Sequence, residues 1–267
     1  MLRRIAWLLG FAVSAAVAQP AVPVYAAGSL RGALVEAARA FEAAPGGART
    51  ELVFGASGLL RERIVQGEAA QVFASANMEH PRALAAAGGW TPVRVFTRNA
   101  LCAIAPARLE LVPERLVERL LDPQIKVGTS TPRADPSGDY AFEMFARIAA
   151  QPGAPADARA RLEAKALQLT GGPTSPPPPA GRNVYGALVA QGAADIFLTY
   201  CTNAVVAVAE NPQLRWLAVP DAINVGADYG LTLRNGAPAA AEGFAAFLLS
   251  APGQAILARH GFLAPVR

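Results

Sequence analysis

Short apolar runs alternate with stretches of helical period along most of the chain. Residues 22–41 read VPVYAAGSLRGALVEAARAF. The run at 22–27 is Val-rich and aromatic, as buried strands are. After Gly28 and Ser29 the period changes. Leu30, Leu34, Ala38 and Phe41 form one apolar stripe, with Arg31, Glu36 and Arg39 off it, which predicts a helix. Ser29 stands where an N-cap belongs, beside free N–H groups whose partial positive charge can hold an anion. Taken alone, the serine need do no more than cap its helix.

The arrangement returns. Residues 51–67 predict a strand at 52–54, a turn with Ser57, and a helix with Leu60, Ile64 and Val65 inward. Residues 126–128 lead into TSTPRADPSG and a helix start at 139–145. GRNVYGALVA at 181–190 opens another helix behind TGGPTSPPPPAG, whose prolines predict a stiff, extended loop. No fixed period links these units, so they are not a repeat. Further strands are expected at 71–76, 93–105, 195–200, 214–219 and 229–233, and further helices at 79–87, 116–121, 141–150, 156–166, 205–209, 239–249 and 251–260. The alternation implies an α/β fold with mostly parallel sheets.

The first residues change the compartment. Arg3 and Arg4, an apolar stretch at 5–13 and Ala16-Val17-Ala18 read as a signal peptide over residues 1–18, cleaved after Ala18. The apolar stretch is shorter than a membrane span needs. Apolar content of 53% with only 16% charged residues fits a packed globular chain. The net charge of +4 is scattered and forms no basic stripe, so no nucleic-acid partner is expected. Cys102 and Cys201 are an even pair in an exported chain, which suggests a disulfide, although two buried free thiols fit the same spacing.

Catalytic chemistry is sparse. The two histidines, His80 and His260, fall at predicted helix ends, where surface or capping roles are expected. No cluster has zinc spacing, and phosphate and dinucleotide fingerprints are missing. Gly55-Ala56-Ser57-Gly58-Leu59 departs from the G-x-S-x-G elbow at its last position, which leaves an exported hydrolase the weakest reading. We therefore expect neither an enzyme nor a cofactor. The strand-end loops instead share uncharged donors: Ser29, Ser57, Thr129, Ser130, Thr131, Ser137 and Asn183. Open α/β sheets bind ligands at such ends, and donors without carboxylates suit an anion. Arg31, Arg61, Arg133 and Arg182 lie nearby in sequence and are expected on the rim.

AAGSL (26–30), FGASGLL (54–60), VFASA (72–76), GTSTPRADPSGDYA (128–141), VYGALV (184–189) and ADIFLTYCTNA (194–204) occur in the order found in periplasmic molybdate-binding proteins of ABC importers. The chain resembles that family over nearly its whole mature length. The resemblance implies a two-lobed type II periplasmic binding protein fold with the ligand cleft between lobes. One lobe would span residues 21–97 plus 228–267, the other 98–227. It implies a monomer that captures molybdate or tungstate and serves a membrane permease. Ser29, Ser57 and Ala76 would donate from one lobe, and Ser137, Val184 and Tyr200 from the other. The chain departs from the family pattern at Ala70-Gln71, where an acidic residue is usual, at Ser137, and in its proline-rich loop and cysteine pair. A same-fold receptor for another small anion or an amino acid is the alternative, with Asp135 or Asp139 to meet an ammonium group.

Overall fold

The computed structural model describes residues 21–177 and 181–265; the expected signal peptide and Pro178, Pro179 and Ala180 of the proline-rich loop lie outside them. The first half of the chain forms β1 (Val22–Ala27), α1 (Arg31–Glu42), β2 (Thr50–Gly55), α2 (Ser57–Val65), β3 (Val72–Ser75), α3 (Glu79–Ala86), β4 (Arg94–Asn99), β5 (Leu101–Pro106), α4 (Leu116–Leu121) and β6 (Val127–Ser130). The second half forms α5 (Pro136–Ala149), α6 (Ala158–Lys165), β7 (Leu167–Thr170), α7 (Val184–Ala190), β8 (Ile196–Tyr200), α8 (Cys201–Glu210), β9 (Leu214–Ala218), β10 (Ala227–Leu233), α9 (Ala239–Leu249) and α10 (Ala251–Arg259).

These build two five-stranded sheets, ordered β2-β1-β3-β10-β4 and β7-β6-β8-β5-β9. The fold is α/β with two lobes. Each sheet holds two parallel and two antiparallel pairings, so the sheets are mixed rather than mostly parallel. Connectivity is the cause. Parallel neighbours are joined by a crossover helix, whereas β5 and β10 arrive from the other sheet. β4 and β5 are one extended run interrupted at Ala100, where the chain changes sheets.

Both faces of each sheet are covered, and the side-chain alternation decides which residue faces which layer. In β1, Val24 and Ala26 pack with Leu34, Phe244 and Leu248, while Tyr25 points the other way against Leu60 and Leu84. In β8, Ile196 and Leu198 join Met144 and Phe145 of α5, while Phe197 joins Val189 and Ala204. Each large apolar side chain so buried contributes about 1.5–3 kcal/mol, and a one-residue slip would exchange the two faces.

Four local expectations change. Val65 is 70% exposed, because it lies one step round α2 from the buried Ile64. α8 starts directly after β8 at Cys201 rather than at 205. β7 is an edge strand with Leu167 and Gln168 exposed, so it carries no alternation to read. His80 is buried in the first turn of α3 with neither ring nitrogen bonded, and burial pushes its pKa down. His260 does cap α10, and its Nε2 lies 2.8 Å from Glu36. Among the described residues no single helix is long and apolar enough to cross a membrane; α9 and α10, apolar together, meet at a 62° bend and pack on the first sheet.

Cys102 of β5 is bonded to Cys201 at the start of α8, with Cα atoms 4.8 Å apart and a sequence separation of 99. A ring of that size constrains the unfolded chain by roughly 4–5 kcal/mol. The double variant Cys102→Ala, Cys201→Ala should lose up to about that much unfolding free energy in a denaturant titration. Full thiol labelling of the unreduced, denatured protein would contradict the bond.

Candidate functional site

A cavity of about 270 Å³ lies between the two sheets, at the carboxyl ends of their strands. Ala27 to Ser29 lie at the end of β1, Gly55 to Ser57 at the end of β2, and Ala76 follows β3. From the second sheet come Asp135 after β6, Thr170 to Gly172 at the end of β7, and Tyr200 at the end of β8. Val184 and Tyr185 open α7 on the same wall. Five of the six donors expected from sequence therefore meet in one cavity: Ser29, Ser57, Ala76, Val184 and Tyr200.

Neither serine caps its helix. Gly28 to Leu30 form a short 3-10 turn before α1, and the Ser29 hydroxyl lies 2.9 Å from the Tyr229 hydroxyl. Ser57 is the first residue of α2, and its Oγ accepts from the Ala76 N–H at 3.1 Å. Tyr200 reaches across the lobes, and its hydroxyl donates to the Ala76 carbonyl at 3.3 Å. The donors are thus held against one another. Burial keeps the phenols of Tyr185, Tyr200 and Tyr229 well above their ordinary pKa, so each is a neutral donor. α7 is fixed by Asn183, whose side chain accepts from the Gly186 N–H at 2.9 Å.

Ser137 is set back from the cavity. It is buried, its N–H donates to Asp135 Oδ1 at 3.1 Å, and its hydroxyl has no partner. Asp135 stands in front of it as the N-cap of α5 and faces the cavity itself. Asp135 is half-buried: part of its carboxyl opens to the cleft, and protein surrounds the rest. That desolvation pushes its pKa from 3.8 up to about 6, against the pull of the Ser137 N–H and the Ser130 hydroxyl. Among the described residues no cation forms an ion pair with it. Thr129 is buried without a partner for its hydroxyl, while the hydroxyls of Ser130 and Thr131 bond to Thr170. These two bonds join β6 to β7, and the Ser130 hydroxyl also bonds to Asp135.

Of the four arginines, only Arg31 reaches the cavity, at its exposed edge, with its guanidinium 4.5 Å from the Phe54 ring centroid. Arg133 and Arg182 are exposed and do not line the cavity, and Arg61 borders a separate hollow between α2 and α3. Beside the cavity the lobes touch: the Gly58 N–H donates to the Ala134 carbonyl at 2.9 Å. A side chain at Gly58 has no room there, since a Cβ would lie 2.4 Å from the Arg133 carbonyl oxygen. Arg133 itself has φ 67°, a costly conformation for arginine, and the Asp139 carboxylate holds its N–H at 2.7 Å. Among the described residues no three His, Cys, Asp or Glu side chains are grouped to hold a metal ion.

A family model described as bacterial extracellular solute-binding protein matches residues 22–263. An uncharacterised protein of Pasteurella multocida (strain Pm70) is 36% identical over 184 residues, which is 68% of this chain and 75% of that one. Two solved structures share the fold at low identity. The sulfate-binding protein SubI from Mycobacterium tuberculosis H37Rv has a TM-score of 0.75 at 16% identity, covering 91% of this chain and 86% of that one. The periplasmic molybdate-binding protein of Azotobacter vinelandii has a TM-score of 0.69 at 18% identity, covering 92% and 100%.

Two outcomes follow from this geometry. Gly58→Ala should keep the lobes apart, so the variant should scatter X-rays at small angles as a more extended particle than the parent while its far-UV spectrum is unchanged. The second concerns Asp135. Its folded pKa lies above the unfolded value, so its stabilising share is present below about pH 4 and is lost as pH rises through about 6. The loss is at most roughly 3 kcal/mol, less where cavity water screens it. Asp135→Asn keeps the N-cap and removes this loss, so its stability relative to the parent should rise between about pH 4 and about pH 7 in denaturant titrations.

Proposed function

The chain belongs to the bacterial extracellular solute-binding proteins, and from that premise we propose that it captures a tetrahedral oxyanion, molybdate or tungstate, for the membrane permease of an ABC importer. The observation that carries this reading is the gathering of Ser29, Ser57, Ala76, Val184 and Tyr200 around one cavity at the strand carboxyl ends. These residues offer hydroxyl and backbone N–H donors. They would bond the oxygens of the anion, and no residue would ligate its metal atom. Stripping water from a dianion is very costly, and several charge-assisted hydrogen bonds with nearby helix starts offset that cost. Donors from both lobes reach one anion only when the lobes approach, so closure and binding are one event. Ser137 enters this scheme through Asp135, which its N–H holds.

One observation favours a second reading, a small organic anion or an amino acid. Asp135 puts a carboxylate on the cavity wall, where an ammonium or hydroxyl group of the ligand could meet it. A thermal-shift screen of molybdate, tungstate, sulfate and phosphate beside an amino-acid panel separates the two, because a ligand raises stability in proportion to its binding. A shift with amino acids alone would overturn the oxyanion reading.

If the anion is held by neutral donors, Tyr200→Phe or Ser29→Ala should weaken molybdate binding by roughly 1.5–3 kcal/mol in calorimetry. Arg31→Ala, at the cavity edge, should mainly slow association and flatten its salt dependence. Loss of binding in Arg31→Ala with both hydroxyl variants intact would mean that charge holds the ligand.

A further inference from the structure

Asp135 poses a problem for any anion in this cavity. Its carboxyl occupies the N-terminus of α5, the place on the second lobe where an anion's oxygen would sit. Oδ1 takes the Ser137 N–H, while Oδ2 lies against Gly171. Gly171 has φ 74° and a Cβ there would fall 2.5 Å from Oδ2, so the β7 end is shaped to admit this carboxyl. The groups around it give no compensating charge. Asp139 on its own helix adds negative potential. Tyr185 from α7, Tyr200 from β8 and Tyr229 from β10 are neutral phenols. Arg133, two residues before it, is exposed, and Arg31 stays at the cavity edge over Phe54.

We propose that the cleft takes up a dianionic oxyanion together with one proton, which sits between the Asp135 carboxyl and the anion oxygen beside it. The inference rests on the oxyanion reading above and names what that reading leaves open, the state of charge that the site accepts. Two like charges facing each other in one cleft repel, and that repulsion favours the gain of a proton by one of them. Protonated Asp135 becomes a donor and joins Val184 and Tyr200 on the wall of the second lobe. An oxyanion that already carries its proton delivers it to the same place, donating to the carboxylate. Asp135 is thereby a specificity-determining residue: it disfavours a bare dianion in alkaline conditions and tolerates a hydrogen-bearing one. The shift of its pKa to about 6 agrees with a carboxyl that gains a proton readily.

The test is calorimetry of molybdate and tungstate binding between about pH 6 and about pH 8.5, in buffers of different ionisation enthalpy, which count the protons taken up. The parent protein should take up close to one proton per anion at the alkaline end and lose affinity there by nearly tenfold per pH unit. Asp135→Asn, whose carboxamide can still accept from the Ser137 N–H, should take up none and bind the dianion more tightly than the parent at the alkaline end. Tyr200→Phe should bind more weakly with the proton count unchanged. Binding by the parent without proton uptake would overturn the proposal and leave the oxyanion reading standing. If neither anion binds, the same count is made with sulfate, while phosphate, which brings its own proton as hydrogen phosphate, should bind with none taken up at the alkaline end. Failure of all four overturns both.

Discussion

Tyr200 is the contact on which the two lobes depend. It ends β8 of the second sheet, yet its ring packs within the core of the first, 5.6 Å from Tyr229 and 6.2 Å from Tyr140 between centroids. Its hydroxyl then finds the Ala76 carbonyl behind β3. The chain crosses between sheets immediately beside it, at Ala100, and the disulfide from Cys201 to β5 ties the residue after it to the same crossing. A buried aromatic of this size contributes several kcal/mol through its area alone, so it holds the strand ends of the two sheets facing each other.

That facing arrangement decides what the cavity can do. Parallel strands deliver their loops to one edge, and helix starts gather there with unused N–H groups. The serines in those loops leave capping undone. Ser29 turns to Tyr229 and Ser57 to Ala76, so the donors form a preset network instead of a set of flexible side chains. Only Asp135 opposes this potential from within the wall, and its partners are Ser137 and Ser130 rather than a cation. The charge on the wall is thus that of Asp135, while the arginines stay outside or at its edge.

Much of this was readable in the residues. The continuous apolar runs VPVYAA and IFLTY mark strands buried on both faces, and small polar loops before a helical period mark Ser29 and Ser57 as strand-end donors. Ala76 and Val184 have no such mark, since a backbone N–H leaves no trace in residue type; resemblance to a family pointed to them. β7 escaped because an edge strand with exposed Leu167 and Gln168 lacks alternation. With it went the Gly171 wall and the proline-rich segment Ser175 to Pro177, which also borders the cavity. Ser137 and Asp135 exchanged places for a tertiary reason. Both stand at the start of α5, and the cavity is lined by Asp135, whose carboxyl packs against Gly171.

The central claim is that one oxyanion sits between the lobes at these strand ends. The most direct measurement is anomalous diffraction at a tungsten edge from crystals grown with tungstate. The account requires a single strong peak within hydrogen-bonding distance of Ser29, Ser57, Ala76, Val184 and Tyr200, with Asp135 beside it. A peak elsewhere, or an empty cleft in protein that calorimetry finds saturated with tungstate, would contradict it.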